Sequence, residues 1–179
     1  MRTNLVIAAV LGLYAATLNQ AAADATEDEA VRKKLAPIID CINHSDFVLQ
    51  RTFVQYRRLL DDIKRSGSGT MSGGGFKDGN PGFANSLKCA DGLDQAVKAS
   101  PQIDDLDRAV SDYATAIRAF APIATEADRY YSQGDYKDDK WAKGRELDGK
   151  LQPLIAKLEQ ASEELHMGVK RELKGIRLR

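Results

Sequence analysis

IDDLDRAVSDYATAIRAFAPIATEADRYY, residues 103–131, is the stretch on which the fold turns. Within it Ile103, Leu106, Val110, Tyr113, Ile117, Phe120, Ala124, Ala127 and Tyr131 step alternately by three and four without a miss. That spacing lines one face of an α-helix with apolar side chains. Ser100-Pro101 just upstream supplies an N-cap and a first-turn proline. Gly134 downstream supplies a C-cap. Pro122 lies inside the stretch and predicts a kink where the Arg118 carbonyl loses its partner.

Two further stripes flank this one. Upstream, Leu35, Ile38, Ile42, Leu49, Phe53, Tyr56, Leu60 and Ile63 repeat the pattern, with only Ser45 in an apolar slot. That helix is predicted to start near Thr26, in a Thr-Glu-Asp-Glu run resembling a capping box. It should bend at Pro37 and stop at the glycines after Arg65. Downstream, Trp141, Leu147, Leu151, Leu154, Leu158, Ala161, Leu165, Val169 and Leu173 continue the pattern across Pro153, with Asp138 or Asp139 as N-cap. At 1.5 Å per residue, spans of about 38, 30 and 36 residues reach roughly 57, 45 and 54 Å, close enough to pack side by side. Residues 66–83 are too rich in glycine to hold regular structure, and a short helix follows over about 84–99. The fold class predicted is all-α: an elongated antiparallel helical bundle of three long helices plus one short helix and a Gly-rich loop.

Composition narrows the function. The chain has 179 residues, 26 basic and 26 acidic, so it carries no electrostatic footprint for nucleic acid. Residues 1–23 run from Arg2 through an apolar stretch, Leu5 to Leu18, to Ala21 and Ala23, the order of a secretory signal peptide. An apolar run of about 14 residues falls short of the roughly 20 that a bilayer core requires. Residues 24–179 are then a single helical-bundle domain. The first cysteine is Cys41, so the expectation is no lipid anchor and no transmembrane anchor in the mature chain. The predicted location is the periplasm, with secretion as the variant.

Export changes the reading of Cys41 and Cys89, the only cysteines, because disulfides persist in an oxidising compartment. A bridge closing about 49 residues stabilises by roughly 4 kcal/mol in the chain-entropy model. Two free buried thiols and an intermolecular link are the alternatives. An internal bridge has a geometric consequence. Cys41 lies roughly 35 Å below the end of its helix, so the Gly-rich segment must descend the bundle before the short helix starts. The result is an up-down-up-down bundle with a lateral groove beside the loop.

EADRYYSQGDYKDDKWAKG, residues 126–144, resembles the most recognisable segment of the YiiG-like family of exported bacterial proteins of unknown function. Ile39-Asp40-Cys41-Ile42-Asn43 and the later Cys89 are similar to that family's spaced cysteine pair. The resemblance implies a helical protein of the Gram-negative envelope and carries no catalytic residues. Many relatives resemble lipoproteins, and this sequence departs from them in lacking a lipidated cysteine.

The same segment holds the candidate contact residues Tyr130, Tyr131, Tyr136, Asp138, Asp139 and Trp141, together with Asp135. Aromatic faces and carboxylates in one interhelical turn suit a sugar, a cation or a peptide. The competing reading is structural, since Tyr131 and Trp141 continue the apolar stripes and Gly134 and the aspartates cap helices. An EF-hand is excluded by Lys137 and Trp141 in ligand positions and by the absence of glycine at the sixth. His44 and His166 are the only histidines and neither has a partner at helical spacing, so no metal site is predicted. Gly-x-Ser-x-Gly and phosphate-cradle motifs are lacking, and no catalytic residue or cofactor is expected. Lys170, Arg171, Lys174, Arg177 and Arg179 suit the C-terminal helix dipole and admit weak attraction to anionic polymer or lipid. The function predicted is a non-catalytic binding or interaction module of the cell envelope, its partner an envelope protein or cell-wall polymer. The alternative is a metal-handling or hydrolytic protein with a site assembled from Glu126, Asp128, His44 or His166.

Overall fold

The structure, a computed structural model, describes residues 3–66 and 81–178. Four α-helices follow one another: α1 Thr3–Ser66, α2 Pro81–Lys98, α3 Asp104–Gln133 and α4 Ala142–Leu178, with one 3-10 turn at Asp135–Lys137. No strand occurs among the described residues. Each helix packs on the next, and α4 returns to α1, which closes a four-helix bundle. The expected descent of the Gly-rich segment, and the groove beside it, fall at 67–80, outside the described residues.

The core is built from the stripes. Leu106, Val110, Tyr113, Ile117, Phe120, Ala124, Ala127 and Tyr131 of α3 are all buried. Opposite them lie Leu35, Ile38, Ile42, Leu49, Phe53 and Tyr56 of α1, and Leu147, Leu151, Leu158 and Leu165 of α4. Phe53 meets Phe120 edge to face at 5.3 Å between ring centroids, tying α1 to α3 through the middle of the bundle. Cys41 and Cys89 are joined by a disulfide with Cα atoms 5.2 Å apart, which pins α2 to the middle of α1. Pro37, Pro122 and Pro153 all sit inside helices on exposed positions. The carbonyls they orphan belong to the exposed residues Lys33, Arg118 and Gly149, so water can satisfy them.

Several boundaries differ from those read off the sequence. α1 begins at Thr3 rather than near Thr26. No proline interrupts residues 3–25, and the Thr26 hydroxyl donates back to the Ala23 carbonyl at 2.7 Å instead of capping a new helix. α2 begins at Pro81, three residues early, with proline at the N-terminal position it favours. α3 starts at Asp104, not at Ser100-Pro101, which forms a cis peptide. The Ile103 N–H donates to Asp107 Oδ2 at 2.9 Å, so the side chain of Asp107 does the capping from one turn inside. Asp104, Asp105 and Asp107 also place three acids on the positive end of the helix dipole. In α1 it is Leu59 that is fully buried, while Leu60 is only partly so.

One core member is ionic. Lys34, whose side chain is 0% exposed, places its ammonium 2.8 Å from Asp107 Oδ1. The same ammonium donates to the Ala99 carbonyl at 2.7 Å. One side chain of α1 thereby holds the α2–α3 connection and the start of α3.

Candidate functional site

The connection from α3 to α4 is built by local rules. Gly134 ends α3 with φ +80°, a left-handed conformation that glycine adopts without penalty. After the 3-10 turn the chain passes through Lys140 and Trp141 at φ 52° and 68°. A left-handed backbone at a bulky aromatic residue is strained. It is held by the Trp141 N–H donating to the Tyr136 carbonyl at 3.2 Å. The Trp141 indole also stacks on the Tyr136 ring at 4.1 Å and 22°.

Asp139 fastens the turn to both helices. Its Oδ2 accepts the Lys143 N–H at 2.9 Å, and its Oδ1 accepts the Tyr130 hydroxyl at 2.8 Å. Desolvation works against its charge. The hydrogen bonds from Lys143, Tyr130, Trp141 and Ala142 outweigh it and hold the carboxyl below its ordinary range. Asp139 therefore caps α4 as expected, although the helix itself opens three residues later. Asp138 is exposed, and its backbone N–H donates to the Asp135 carbonyl.

Around this turn the aromatic rings form one cluster. Tyr130 meets Tyr131 edge to face at 5.0 Å, and Tyr131 lies 6.4 Å from Tyr136 and 6.1 Å from Trp141. Tyr56 joins from α1, 6.3 Å from Tyr131. Burial pushes the Tyr131 hydroxyl up to about 12. Burial also raises Tyr56, helped by Tyr131 and by Asp148, which accepts the Tyr56 hydroxyl at 3.2 Å. These phenols stay neutral donors at any physiological pH. Gly144 makes the close packing possible, because a Cβ there would stand 3.1 Å from the Tyr130 ring and 3.2 Å from the Tyr131 hydroxyl.

A cleft of about 370 Å³ opens beside the cluster, between the end of α1 and the start of α4. Leu60, Tyr131 and Trp141 form its apolar floor, with Gly144 at its base. Lys64, Arg145 and Asp148 stand at its rim. Lys64 and Arg145 are exposed, and Trp141 is half-buried. Of the sequence-derived candidates the structure thus gathers Tyr130, Tyr131, Tyr136, Asp139 and Trp141. Tyr56 and Leu60 were legible only as core. Lys64, Arg145 and Asp148 carried no signal at all, since nothing but the closure of α4 on α1 brings them together.

The residues of the metal or hydrolytic alternative are dispersed. Glu126 pairs with Lys143 at 2.7 Å, and His44 Nδ1 lies 3.5 Å from Asp40 on the same helix. Asp128 is buried in α3. His166 Nδ1 lies 3.4 Å from Asp46 Oδ2 and 2.9 Å from the Ser162 carbonyl. Asp46 also accepts the Tyr113 hydroxyl at 2.5 Å and the Ser162 hydroxyl at 2.7 Å. The serine proton therefore points to the carboxylate and not to an imidazole acting as base, the reverse of a nucleophile's arrangement. Among the described residues no group of three or more His, Cys, Asp or Glu side chains could hold a metal ion, and no helix is long and apolar enough to cross a membrane.

The model of the family described as "Protein of unknown function (DUF3829)" matches residues 29–172. The chain is 28% identical over 147 residues to "Uncharacterized protein YiiG" of Escherichia coli (strain K12), a match covering 80% of this chain and 40% of that protein. The chain thus aligns with less than half the length of this relative. No solved structure matches.

Proposed function

From the premise that this chain belongs to the DUF3829 family of proteins of unknown function, we propose that it acts in the cell envelope as an exported, non-catalytic binding module. Its contact surface in this reading is the turn between α3 and α4. The observation that carries the proposal is Trp141, held in a strained backbone conformation and left half-exposed in the apolar lining of an open cleft. A merely structural tryptophan would gain by moving inward, whereas ligand clamps commonly keep such strain. The rest of the cluster supports this reading by making a rigid platform beneath the indole.

The export half of the proposal is supported by the order of charge, apolar run and small residues over 1–23 and by the disulfide, which an oxidising compartment preserves. Residues 24–179 are then the working protein. Its partner is an envelope protein or a cell-wall polymer. A photocrosslinking side chain placed at Lys137 in cells tests the surface directly. The product should form with the wild-type turn and disappear when Trp141→Ala or Tyr136→Ala is added in a protein that keeps its helical circular dichroism. Crosslinks that survive both substitutions would exclude the turn as the contact surface.

A further inference from the structure

We infer that the cleft between α1 and α4 is a site for an apolar, aromatic anion, a flat hydrophobic body carrying one carboxylate or sulfonate. This rests on the turn being a binding surface and names the chemistry it recognises. The floor of the cleft is apolar. Leu60, Tyr131 and Trp141 give the cleft a predominantly apolar lining, and about 370 Å³ falls in the range that holds a small organic molecule. Trp141 is the aromatic side chain of the lining with exposed surface for a flat ring to pack on, and Tyr131, 6.1 Å away and buried, backs it.

The rim of the cleft is cationic. Lys64 reaches the cleft from the last turn of α1 and Arg145 from the first turn of α4, so two exposed cations flank one opening. The opposing charge at the rim, Asp148, is one against two, so the opening keeps a net positive charge, and its Oδ1 already accepts from Tyr56 at 3.2 Å and from Gln152 at 2.8 Å. Arg145 donates one N–H to the Lys140 carbonyl at 3.3 Å, which leaves other guanidinium donors for a ligand. An anion over an aromatic floor fits this combination. A cation would meet two like charges, and a wholly uncharged molecule would leave them unused.

Trp141 is the sole tryptophan and lines the cleft, so the indole signal comes from one known position and the substitutions at the cleft assign the binding to it. The probe is anilinonaphthalene sulfonate, with N-phenylnaphthylamine as its uncharged counterpart. The sulfonate should quench Trp141 saturably at one molecule per chain, with energy transfer to the bound dye. Lys64→Gln and Arg145→Gln should each weaken it about three- to tenfold, and Asp148→Asn should tighten it, with circular dichroism unchanged. The neutral counterpart should be insensitive to all three substitutions. Absence of saturable quenching, or equal response of the two probes to the charge substitutions, would overturn the inference. Envelope crosslinks at the turn that persist in that event would leave the interaction surface standing and discard only the anion.

Discussion

Replacing Lys34 by methionine keeps the length and apolar stem of the side chain and removes its ammonium. In the folded protein that ammonium is 2.8 Å from Asp107 and 2.7 Å from the Ala99 carbonyl, with no exposed surface on the side chain. The substitution therefore strands a carboxylate whose side chain is 11% exposed and a carbonyl that loses its partner. Removing one member of a buried pair costs about 3–5 kcal/mol, because the charge left behind is uncompensated. The Ile103 N–H still donates to Asp107, which places the expected loss near the lower end, about 3 kcal/mol. With a urea slope of about 2 kcal/mol per molar, the midpoint should fall by about 1.5 M. Adding Asp107→Asn to Lys34→Met removes the stranded charge and keeps an acceptor for Ile103. The double variant should recover half or more of the loss. The assay is urea unfolding of the disulfide-intact chain followed by far-ultraviolet circular dichroism. A Lys34→Met midpoint within 0.5 M of wild type (about 1 kcal/mol), or a double variant no better than the single, would refute the assignment of the ion pair as a structural clasp.

Three further predictions use other parts of the fold. Gly144→Ala should cost about 1–3 kcal/mol in thermal unfolding, because its Cβ would meet both Tyr130 and Tyr131; an unchanged midpoint would mean the helices separate freely there. Ser45 is fully buried and its hydroxyl has no hydrogen-bond partner, so Ser45→Ala should raise stability by about 1 kcal/mol, again read from the urea midpoint. Alkaline pH should destabilise the bundle. Tyr131 is raised to about 12 by burial, and Tyr56 and Tyr113 are raised by burial as well, so the unfolded chain loses these protons first. Their contribution is intact below about pH 10 and is lost as pH climbs towards 12 and beyond, by up to about 1.4 kcal/mol per unit for each phenol. Tyrosinate absorbance should show these three, and Tyr130, which burial also raises, titrating together with loss of helix; free titration of all six tyrosines in a folded chain would contradict the packing.

What could be read from the sequence followed from periodicity. The α3 stripe is legible because its apolar residues keep helical phase for nine positions, and every one from Leu106 onward is buried. Gly134 and Asp139 are legible as caps because local backbone chemistry dictates them. Lys34 was not, since a lysine beside an apolar stripe ordinarily carries its charge out to water. Only the arrival of Asp107 from a distant turn makes burial tolerable. The start of α3 at Asp104 departs from the local sequence signal for the same kind of reason. Ser100-Pro101 has the local form of a helix start, but Asp107 bonds the Ile103 N–H and Lys34 fixes the Ala99 carbonyl, so tertiary contacts set the boundary. The candidate site divides along the same line. Its aromatic turn is contiguous in sequence, while its cationic rim is assembled from α1 and α4 and exists only after they pack.

Export and the Cys41–Cys89 bridge are the two premises of the functional proposal, and intact mass with non-reducing peptide mapping of protein recovered from the envelope tests them most directly. The account predicts a chain beginning at Asp24 in which the Cys41 and Cys89 peptides travel as one linked species. A chain that retains residues 1–23 in the cytosol with both thiols free would contradict it.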